Sequence, residues 1–323
     1  MTPIPRPQAI LVAGPTASGK SALGVRAAAR FGGAVINADS MQVYRDLNVL
    51  SARPDAKDRE RAPHHLYGHV DGAEVYSTGR WLDDVLATLA DVTAAGQLPV
   101  IVGGTGLYFK ALLDGLASLP PIPPELRKRW REIAATTDAS ELHAMLQARD
   151  PESALGIRPS DRQRILRALE VKDATGRSIL DWHRAGHRGG QDGLIDAAQT
   201  VRLRIMPDRA ALYARCDARF LSMLEAGAVE EVSALLDRDL SPALPVMKAI
   251  GVREIAGMRD GTLSRDDAIA RAQQETRRYA KRQMTWVRNQ MSDWTPVDFR
   301  SDDDIDRILA QLIADHPTLA DQR

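Results

Sequence analysis

A glycine-rich segment near the beginning of the chain has the residue types needed to bind a phosphorylated ligand. It reads Gly14, Pro15, Thr16, Ala17, Ser18, Gly19, Lys20, Ser21. This order fits the pattern G-x-x-x-x-G-K-[S/T], and it lies between an apolar run at 9–13 and a helix-prone run at 22–27. Backbone N–H groups and a helix N-terminus favour an anion, Lys20 can neutralise phosphate oxygens, and Ser21 can hold a divalent metal. We predict a di- or triphosphate site here and call these residues the phosphate loop.

Two further groups of polar residues follow apolar runs. After residues 34–38, a predicted buried strand, come Asp39, Ser40, Met41 and Gln42. After residues 98–102, the next predicted strand, come Gly103, Gly104, Thr105 and Gly106. Both groups would lie at the carboxyl edge of a parallel sheet, where α/β proteins bind ligands. The residues leave alternatives open. Asp39 could be a base, a metal ligand or a helix N-cap. The glycines could contact a ligand or form a tight turn.

These elements predict an α/β fold, a P-loop NTPase-like parallel sheet core flanked by helices, with an all-helical insertion domain. The proline-rich segment 119–124 predicts a boundary, because consecutive prolines form a stiff connector. Helix-prone, basic sequence follows it, and residues 201–205 return to a strand-like alternation. We therefore predict a first core part at 1–117, the insertion at 118–196 and a second core part at 197–323.

The composition predicts a globular cytoplasmic protein that does not contact a membrane. Basic and acidic residues balance at 43 each, so nucleic acid could be attracted only by local clusters. Cys216 is the one cysteine, which excludes an internal disulfide and fits a reducing compartment. No signal peptide is recognisable, and no apolar run approaches the roughly 18 residues of a membrane helix.

Several other segments have a weaker signal. Residues 52–72 are predicted to be a loop, in which His64, His65 and His69 could hold a metal or make hydrogen bonds. Residues 301–323 form an acidic tail that is weakly helical and predicted to be peripheral. Further helices are predicted in the ranges 78–95, 208–226, 229–236, 247–255 and 264–289.

The helix predicted at 264–289 carries a concentration of basic residues. Its second half combines arginines and lysines with Tyr279 and Trp286. A basic face with aromatic residues suits an RNA backbone and unstacked bases. A solvated helix face is the alternative.

Seven separated segments together resemble one family, the bacterial tRNA dimethylallyltransferases, also called tRNA isopentenyltransferases. The resemblance covers nearly the whole chain, and its segments occur in the family's order. They lie at 14–21, 39–45, 63–66, 102–108, 161–171, 249–254 and 276–286.

The resemblance implies transfer of a dimethylallyl group from dimethylallyl diphosphate to the exocyclic amine of the adenosine 3′ of the anticodon, position 37. The tRNAs expected are those that read codons beginning with U. By matching position, Asp39 would be the general base, and Thr16 and Lys20 would assist departure of the diphosphate. Mg²⁺ would be held by Ser21. Arg219 would be a further diphosphate ligand, with Arg215 as its alternative.

The resemblance also implies how the tRNA anticodon stem-loop would be held by a monomeric enzyme. The target adenine would be surrounded by Asp39, Ser40, Met41, Gln42 and Thr105. The insertion would hold the anticodon arm through Arg127, Gln163, Arg164, Ile165, Leu166 and Arg167. The core would contact tRNA through Lys248, Ala249, Ile250, Gly251, Val252, Arg253, Tyr279, Lys281, Arg282 and Trp286.

The chain departs from the family pattern after Arg45. The family usually has glycine at the positions of Asp46 and Leu50, and lysine at Arg53. Loss of both glycines predicts a differently shaped loop. At Val252 the family commonly has tyrosine, so a contact to RNA is expected to be lost.

Three other functions remain compatible with a phosphate loop. A small-molecule kinase or an adenylate isopentenyltransferase would share it but would not need the basic helices. A nucleotide-driven RNA-binding switch would be expected to carry a metal-binding aspartate after residues 98–102, where this chain has glycines.

Overall fold

The computed structural model describes residues 7–117, 119–185, 187–188 and 194–320. It divides into two compact units, one made of Met1–Ala111 with Ile195–Arg323 and the other of Leu112–Leu194. The second unit begins six residues before the predicted insertion, 118–196, and ends two residues before that insertion ends.

The first part of the chain alternates strands and helices. In order, its elements are β1 (Ala9–Ala13), α1 (Lys20–Phe31), β2 (Gly33–Asn37), α2 (Ala56–Arg61), β3 (His64–His65), α3 (Thr78–Ala94), β4 (Leu98–Gly103) and α4 (Gly106–Asp114). Each of β1, β2 and β4 is buried along its whole length. This matches their continuous apolar sequence, because parallel strands are usually covered by helices on both faces.

The middle of the chain is helical apart from one short strand pair. Its elements are β5 (Leu116–Ala117), α5 (Pro124–Thr136), α6 (Ala139–Arg149), α7 (Pro151–Gly156), α8 (Arg162–Thr175), α9 (Ile179–Arg184) and β6 (His187–Arg188). The insertion was expected to be all-helical. The antiparallel pair of β5 and β6 corrects this expectation. The unit has its own apolar core, which includes Trp130, Leu142, Leu146, Ile165 and Leu169.

The last part of the chain completes the sheet. Its elements are β7 (Thr200–Ile205), α10 (Arg209–Glu225), α11 (Ala228–Leu236), α12 (Val252–Arg259), α13 (Arg265–Gln290), β8 (Thr295–Val297) and α14 (Asp302–Asp315). The strand order is β3-β2-β4-β1-β7-β8, with every pair parallel. The carboxyl ends of β1, β2 and β4 therefore meet at one edge, and the three polar groups predicted from the sequence follow them directly.

Two predictions of secondary structure and one of placement were wrong. The segment 52–72 contains α2, capped by the Asp55 carboxylate on the Asp58 amide, and β3, which pairs with β2. The single helix predicted at 247–255 is interrupted by Gly251, whose φ of 100° leaves the helical region. The acidic tail is not peripheral, because Ile305 and Leu309 of α14 are buried in the core of the sheet unit.

The long helix α13 agrees with its prediction at both ends. The Ser264 side chain accepts from the Asp267 amide at 3.1 Å and so caps its N-terminus. Its buried residues include Ala272, Thr276, Ala280, Gln283 and Met284. Among the described residues, no helix is long and apolar enough to cross a membrane.

Candidate active site

The phosphate loop has the backbone geometry of an anion site. Ala17 and Gly19 have φ values of 58° and 88°, and an alanine in this conformation is strained. Helix α1 follows at Lys20 with no side-chain cap at Gly19 and no acidic residue in its first turn. The first N–H groups of a helix have no partner within it. An anion at this helix end would satisfy them and interact favourably with the helix dipole.

Three cationic side chains contact the phosphate loop. Lys20 Nζ lies 3.2 Å from the Pro15 carbonyl oxygen. Arg219, from α10, donates to the Thr16 hydroxyl, and Arg215 Nε donates to the Ala17 carbonyl at 2.9 Å. Both arginines that the sequence left as alternatives therefore reach the loop.

The charges near the loop affect the pKa of Lys20. The pKa of Lys20 is lowered from 10.5 to about 8, chiefly by burial and also by the Arg219 guanidinium, whereas the Asp39 carboxylate opposes this change. Burial also lowers the pKa of Arg219. Both pKa shifts arise mainly from burial, and a bound anion would favour the charged forms of Lys20 and Arg219.

Asp39 is fixed by its neighbour Asn37, which the sequence analysis did not identify. The Asn37 side chain accepts from the Asp39 amide at 2.8 Å and donates to the Asp39 carbonyl at 2.9 Å. The Trp81 indole N–H donates to the Asn37 carbonyl oxygen at 2.9 Å. Asp39 Oδ1 accepts from the Met41 amide at 2.9 Å, so the carboxylate closes an Asx turn and does not cap a helix.

The glycines at the end of β4 and just after it are required by the protein's own packing. A Cβ at Gly103 would lie 2.0 Å from the Ala38 carbonyl oxygen, and one at Gly104 would lie 2.2 Å from the Gln283 amide nitrogen. A Cβ at Gly106 would lie 2.0 Å from the Trp286 indole nitrogen. Of the two alternatives left open by the sequence, a ligand contact or a tight turn, the structure favours close packing of the protein itself, since these glycines admit the adjacent strand end and α13.

Thr105, between these glycines, links two of the predicted groups. Its hydroxyl accepts from the Ser40 amide at 3.0 Å, and its own amide donates to the Ala38 carbonyl at 3.1 Å. Thr105 therefore sets the position of the chain that follows Asp39.

Gln283 links the phosphate loop to the segment after β4. Its side-chain oxygen accepts from the Thr16 amide at 2.8 Å, and its side-chain nitrogen donates to the Gly104 carbonyl at 2.9 Å. The residue is buried within α13. Gln283 lies among the small and apolar residues on the buried face of α13. A polar side chain at such a position could have been recognised in the sequence as one that needs partners, because buried polar groups are hydrogen-bonded.

Two neighbouring cavities open at this edge of the sheet. One, of about 520 Å³, lies against the phosphate loop, and we call it the phosphate-loop cavity. The other, of about 270 Å³, we call the apolar cavity, because its wall includes Met41, Leu47, Leu50, Phe220, Met223 and Ile250. Four residues line both cavities: Thr16, Asp39, Ser51 and Arg219. Arg215 lines only the phosphate-loop cavity, which distinguishes the two arginines.

The C-terminal segment supplies wall residues that the sequence analysis missed. Phe299, Arg300, Ser301 and Ile305 line the phosphate-loop cavity. The Phe299 ring lies against Gly19, where a Cβ would approach it to 2.7 Å. Residues 301–323 were predicted to be a peripheral tail, Phe299 and Arg300 were given no role, and no local pattern in this segment indicates a ligand.

Gln42 contacts the segment 46–53, which we call the 46–53 loop. Its side-chain nitrogen donates to the carbonyl oxygens of Ser51 and Ala52 at 2.9 and 2.8 Å. Ala52 has a φ of 53°, whereas Asp46 and Leu50, at the family's glycine positions, have no positive φ. Gln42 therefore holds the 46–53 loop in this structure.

Some residues predicted to contact RNA are buried. Ile165 is fully buried in the core of the insertion, and Val252 and Ala249 are buried in the sheet unit. Their side chains are therefore unavailable to RNA, which corrects that part of the prediction. Exposed members of the predicted set are Gln163, Arg164, Lys248, Arg253, Lys281 and Arg282. Intermediate exposure is found at Arg127, Leu166, Arg167, Ile250, Tyr279 and Trp286.

Two of the three histidines make side-chain hydrogen bonds within the sheet unit. His64 Nδ1 lies 2.8 Å from the Ala62 carbonyl, and His69 Nε2 lies 3.3 Å from the Asp84 carboxylate. Within the described ranges, no group of three or more His, Cys, Asp or Glu side chains could hold a metal ion.

The fold and the site define an α/β protein of the P-loop class, with a carboxylate beside its anion-binding loop. A family model for IPP transferases matches residues 42–290, and one for isopentenyl transferases matches residues 7–64. The chain is 51% identical over 289 residues to a tRNA dimethylallyltransferase of Azorhizobium caulinodans, covering 90% of this chain and 91% of that one. It is 54% identical over 290 residues to a tRNA dimethylallyltransferase of Methylorubrum extorquens, covering 90% of each. The chain therefore belongs to the tRNA dimethylallyltransferase family.

Solved structures agree with this membership. The full-length tRNA isopentenylpyrophosphate transferase of Bacillus halodurans is 30% identical with a TM-score of 0.67, and the match covers 96% of this chain and 97% of that one. A eukaryotic dimethylallyltransferase acting on tRNA is 29% identical with a TM-score of 0.76, and the match covers 97% of this chain and 77% of that one. The P-loop NTPase-like fold predicted from the sequence is confirmed.

Proposed function

We propose that the protein transfers the dimethylallyl group of dimethylallyl diphosphate to the exocyclic amine of adenosine 37 in tRNAs that read codons beginning with U. One observation carries the proposal: Asp39 lines both the phosphate-loop cavity and the apolar cavity. A carboxylate at that junction can contact an amine that attacks a carbon whose leaving group is on the phosphate loop. The bond from carbon to the diphosphate oxygen breaks, the bond from carbon to nitrogen forms, and Asp39 accepts the amine proton.

The diphosphate is proposed to occupy the phosphate-loop cavity. The N-terminus of α1, Lys20 and Arg219 would stabilise the negative charge that grows on the leaving oxygen. Preorganised donors of this type cost no reorganisation during the reaction. The link from Gln283 to the Thr16 amide keeps the loop in place.

We propose that Mg²⁺ binds together with the substrate. Ser21 lies in the first turn of α1, is exposed, and lines the phosphate-loop cavity. One hydroxyl is a poor site alone, but Mg²⁺ commonly takes most of its ligands from substrate phosphates and water. The donors present therefore fit an ion carried by the diphosphate, which would supply charge neutralisation to the leaving group.

The target adenine must leave its stack to reach Asp39. Extrusion costs a few kcal/mol and is cheapest for single-stranded bases, which favours an anticodon loop over a duplex. On the sheet unit, Lys281 and Arg282 of α13 are exposed, and the Arg282 guanidinium lies 5.6 Å from the centre of the Tyr279 ring. On the insertion, Arg164 is exposed on α8. These groups are proposed to contact the RNA.

The site of transfer can be tested with two tRNAs that differ at one base. One carries adenosine at position 37 and the other guanosine, and both read a codon beginning with U. With labelled dimethylallyl diphosphate, label is expected only in the first tRNA, in the nuclease fragment that contains position 37. Equal labelling of both would contradict the proposed target.

Lys20 is expected to give the reaction an alkaline limit. Its ammonium has a pKa of about 8 and loses its charge as the pH rises above that value. We expect kcat/KM for dimethylallyl diphosphate to fall by up to about tenfold per pH unit above pH 8, because this ratio reports groups on the free enzyme. Lys20→Arg, which keeps its charge, is expected to be slower but level between pH 7 and about 9.5. The same fall in that variant would assign the titration to another group.

Reversing charge on α13 is expected to weaken tRNA binding. The double variant Arg278→Glu and Arg282→Glu should lower tRNA affinity at least about tenfold at low salt. The slope of log affinity against log salt concentration should decrease by the amount expected for the loss of about one to two phosphate contacts. The KM for dimethylallyl diphosphate should stay within about twofold. Arg307→Glu, an exposed reversal on α14, is the control. A loss of diphosphate affinity with unchanged tRNA binding would contradict this placement of α13.

A further inference from the structure

Glu231 of α11 makes an unusual set of contacts with the 46–53 loop. Its Oε2 accepts from the backbone amides of Asn48 and Val49 at 2.6 and 2.7 Å, and its Oε1 accepts from the Leu50 amide at 2.9 Å. One carboxylate therefore pairs with three consecutive backbone N–H groups. Hydrogen bonds to an ionised acceptor are about twice as strong as neutral ones, so this contact fixes the middle of the loop.

The two ends of the same loop are held by other side chains. Asp46 accepts from the Arg238 guanidinium and from the Gly72 amide. At the other end, Gln42 donates to the carbonyls of Ser51 and Ala52. The backbone amides of residues 48–50 donate to Glu231, whereas the Asn48 and Val49 carbonyls accept from the Arg53 and Ala52 amides within the loop. A change at Glu231 therefore acts directly on the three amides.

The 46–53 loop forms a wall of both cavities. Leu47 and Leu50 line the apolar cavity, Ala52 lines the phosphate-loop cavity, and Ser51 lines both. A methyl group of Leu50 lies against Gly251, where a Cβ would approach it to 2.6 Å. Because Leu50 belongs to the segment that Glu231 holds and Leu47 directly precedes it, the width of the apolar cavity depends on that segment.

We propose that Glu231 is a positioning residue for the transfer reaction and limits the donor to a short prenyl chain. This inference rests on the function proposed above. Glu231 fixes residues 48–50, and through them Leu47 and Leu50 limit the space available beyond the reacting carbon. When the carboxylate is lost, the loop amides donate to water instead. The prenyl donor is then held less well, and a longer prenyl chain is accepted.

The test compares Glu231→Gln with Glu230→Gln, a change on the adjacent, exposed residue of α11. The amide can offer only one oxygen to three N–H groups, so the contact is broken with little change of size. Steady-state kinetics at saturating tRNA are measured with dimethylallyl diphosphate and with geranyl diphosphate. The KM for tRNA and the thermal unfolding midpoint are measured in parallel.

For Glu231→Gln, we expect kcat/KM with dimethylallyl diphosphate to fall at least about tenfold, since small misplacements of bound groups have large kinetic effects. The ratio of geranyl to dimethylallyl transfer should rise at least about fivefold, as expected when an apolar wall relaxes. Glu230→Gln and the KM for tRNA should stay within about twofold of the wild type.

Several results would overturn the proposal. One is a Glu231→Gln enzyme with wild-type kinetics, and another is an equal loss with both donors at an unchanged ratio. If Glu231→Gln does not fold, Glu231→Asp, which keeps the charge but is one methylene shorter, must show the same rise in the ratio. A wild-type enzyme that transfers nothing from dimethylallyl diphosphate would overturn both this inference and the proposed function, whereas wild-type transfer with an unchanged ratio overturns the inference alone.

Discussion

Replacing Asp39 with alanine is expected to lower turnover at least about a hundredfold, because general-base catalysis typically contributes that much or more. Affinity for tRNA should stay within about twofold, since the change removes a proton acceptor and leaves the basic surfaces intact. Single-turnover transfer with saturating enzyme measures the first quantity, and filter binding of unreacted tRNA measures the second.

Asp39→Asn separates the chemistry from the local fold. An asparagine oxygen can still accept from the Met41 amide and keep the Asx turn, which Asp39 Oδ1 now forms at 2.9 Å. The asparagine side chain cannot accept the proton of the amine, so turnover of the Asp39→Asn enzyme should be about as slow as that of the Asp39→Ala enzyme. Wild-type turnover in Asp39→Asn would exclude the base role, and an equal loss of turnover and tRNA affinity in Asp39→Ala would indicate a role in binding.

The second large effect is expected at Arg219. Arg219→Gln should lower kcat/KM for dimethylallyl diphosphate about a hundredfold or more, as loss of one preorganised charge stabiliser commonly does. Arg219 lines both cavities and donates to Thr16, so it is near the point where the leaving oxygen would gain charge. Initial rates at several concentrations of dimethylallyl diphosphate give the comparison.

Arg215→Gln is the matched variant, because it removes the same group one helical turn away on α10. Arg215 is exposed and lines only the phosphate-loop cavity. Its loss should lower kcat/KM by less than about tenfold, since exposed charges are well screened. Larger losses at Arg215 than at Arg219 would reverse the assignment of the two arginines.

The parts of the site that were predicted from sequence depend on local order. The phosphate loop is a contiguous pattern between a strand and a helix, so its identity and its cation Lys20 can be read from residues 14–21. Asp39 and Thr105 follow apolar runs, and a parallel sheet brings the ends of such runs together. Helix α13 was predicted nearly to its ends because Ser264 and its periodic apolar face are local signals.

The parts that were missed depend on partners far apart in the chain. Gln283 contacts Thr16 across 267 positions, and Glu231 contacts Leu50 across 181. No local pattern indicates either partner. The role of Gly103, Gly104 and Gly106 stayed open between a ligand contact and a tight turn, because their type shows only that something approaches closely and not whether it is the protein itself. The tail at 301–323 was predicted to be peripheral for the same reason, since Ser301 and Ile305 reach the phosphate-loop cavity only in the folded chain.

The most direct measurement is an incubation of the purified protein with Mg²⁺ and radiolabelled dimethylallyl diphosphate, with unmodified tRNA, AMP and ATP offered in parallel. We expect label in tRNA alone, with Asp39→Ala as the inactive control. Label in AMP or ATP would contradict transfer to tRNA and would leave the basic face of α13 as a solvated surface. Absence of label in every acceptor would contradict prenyl transfer itself.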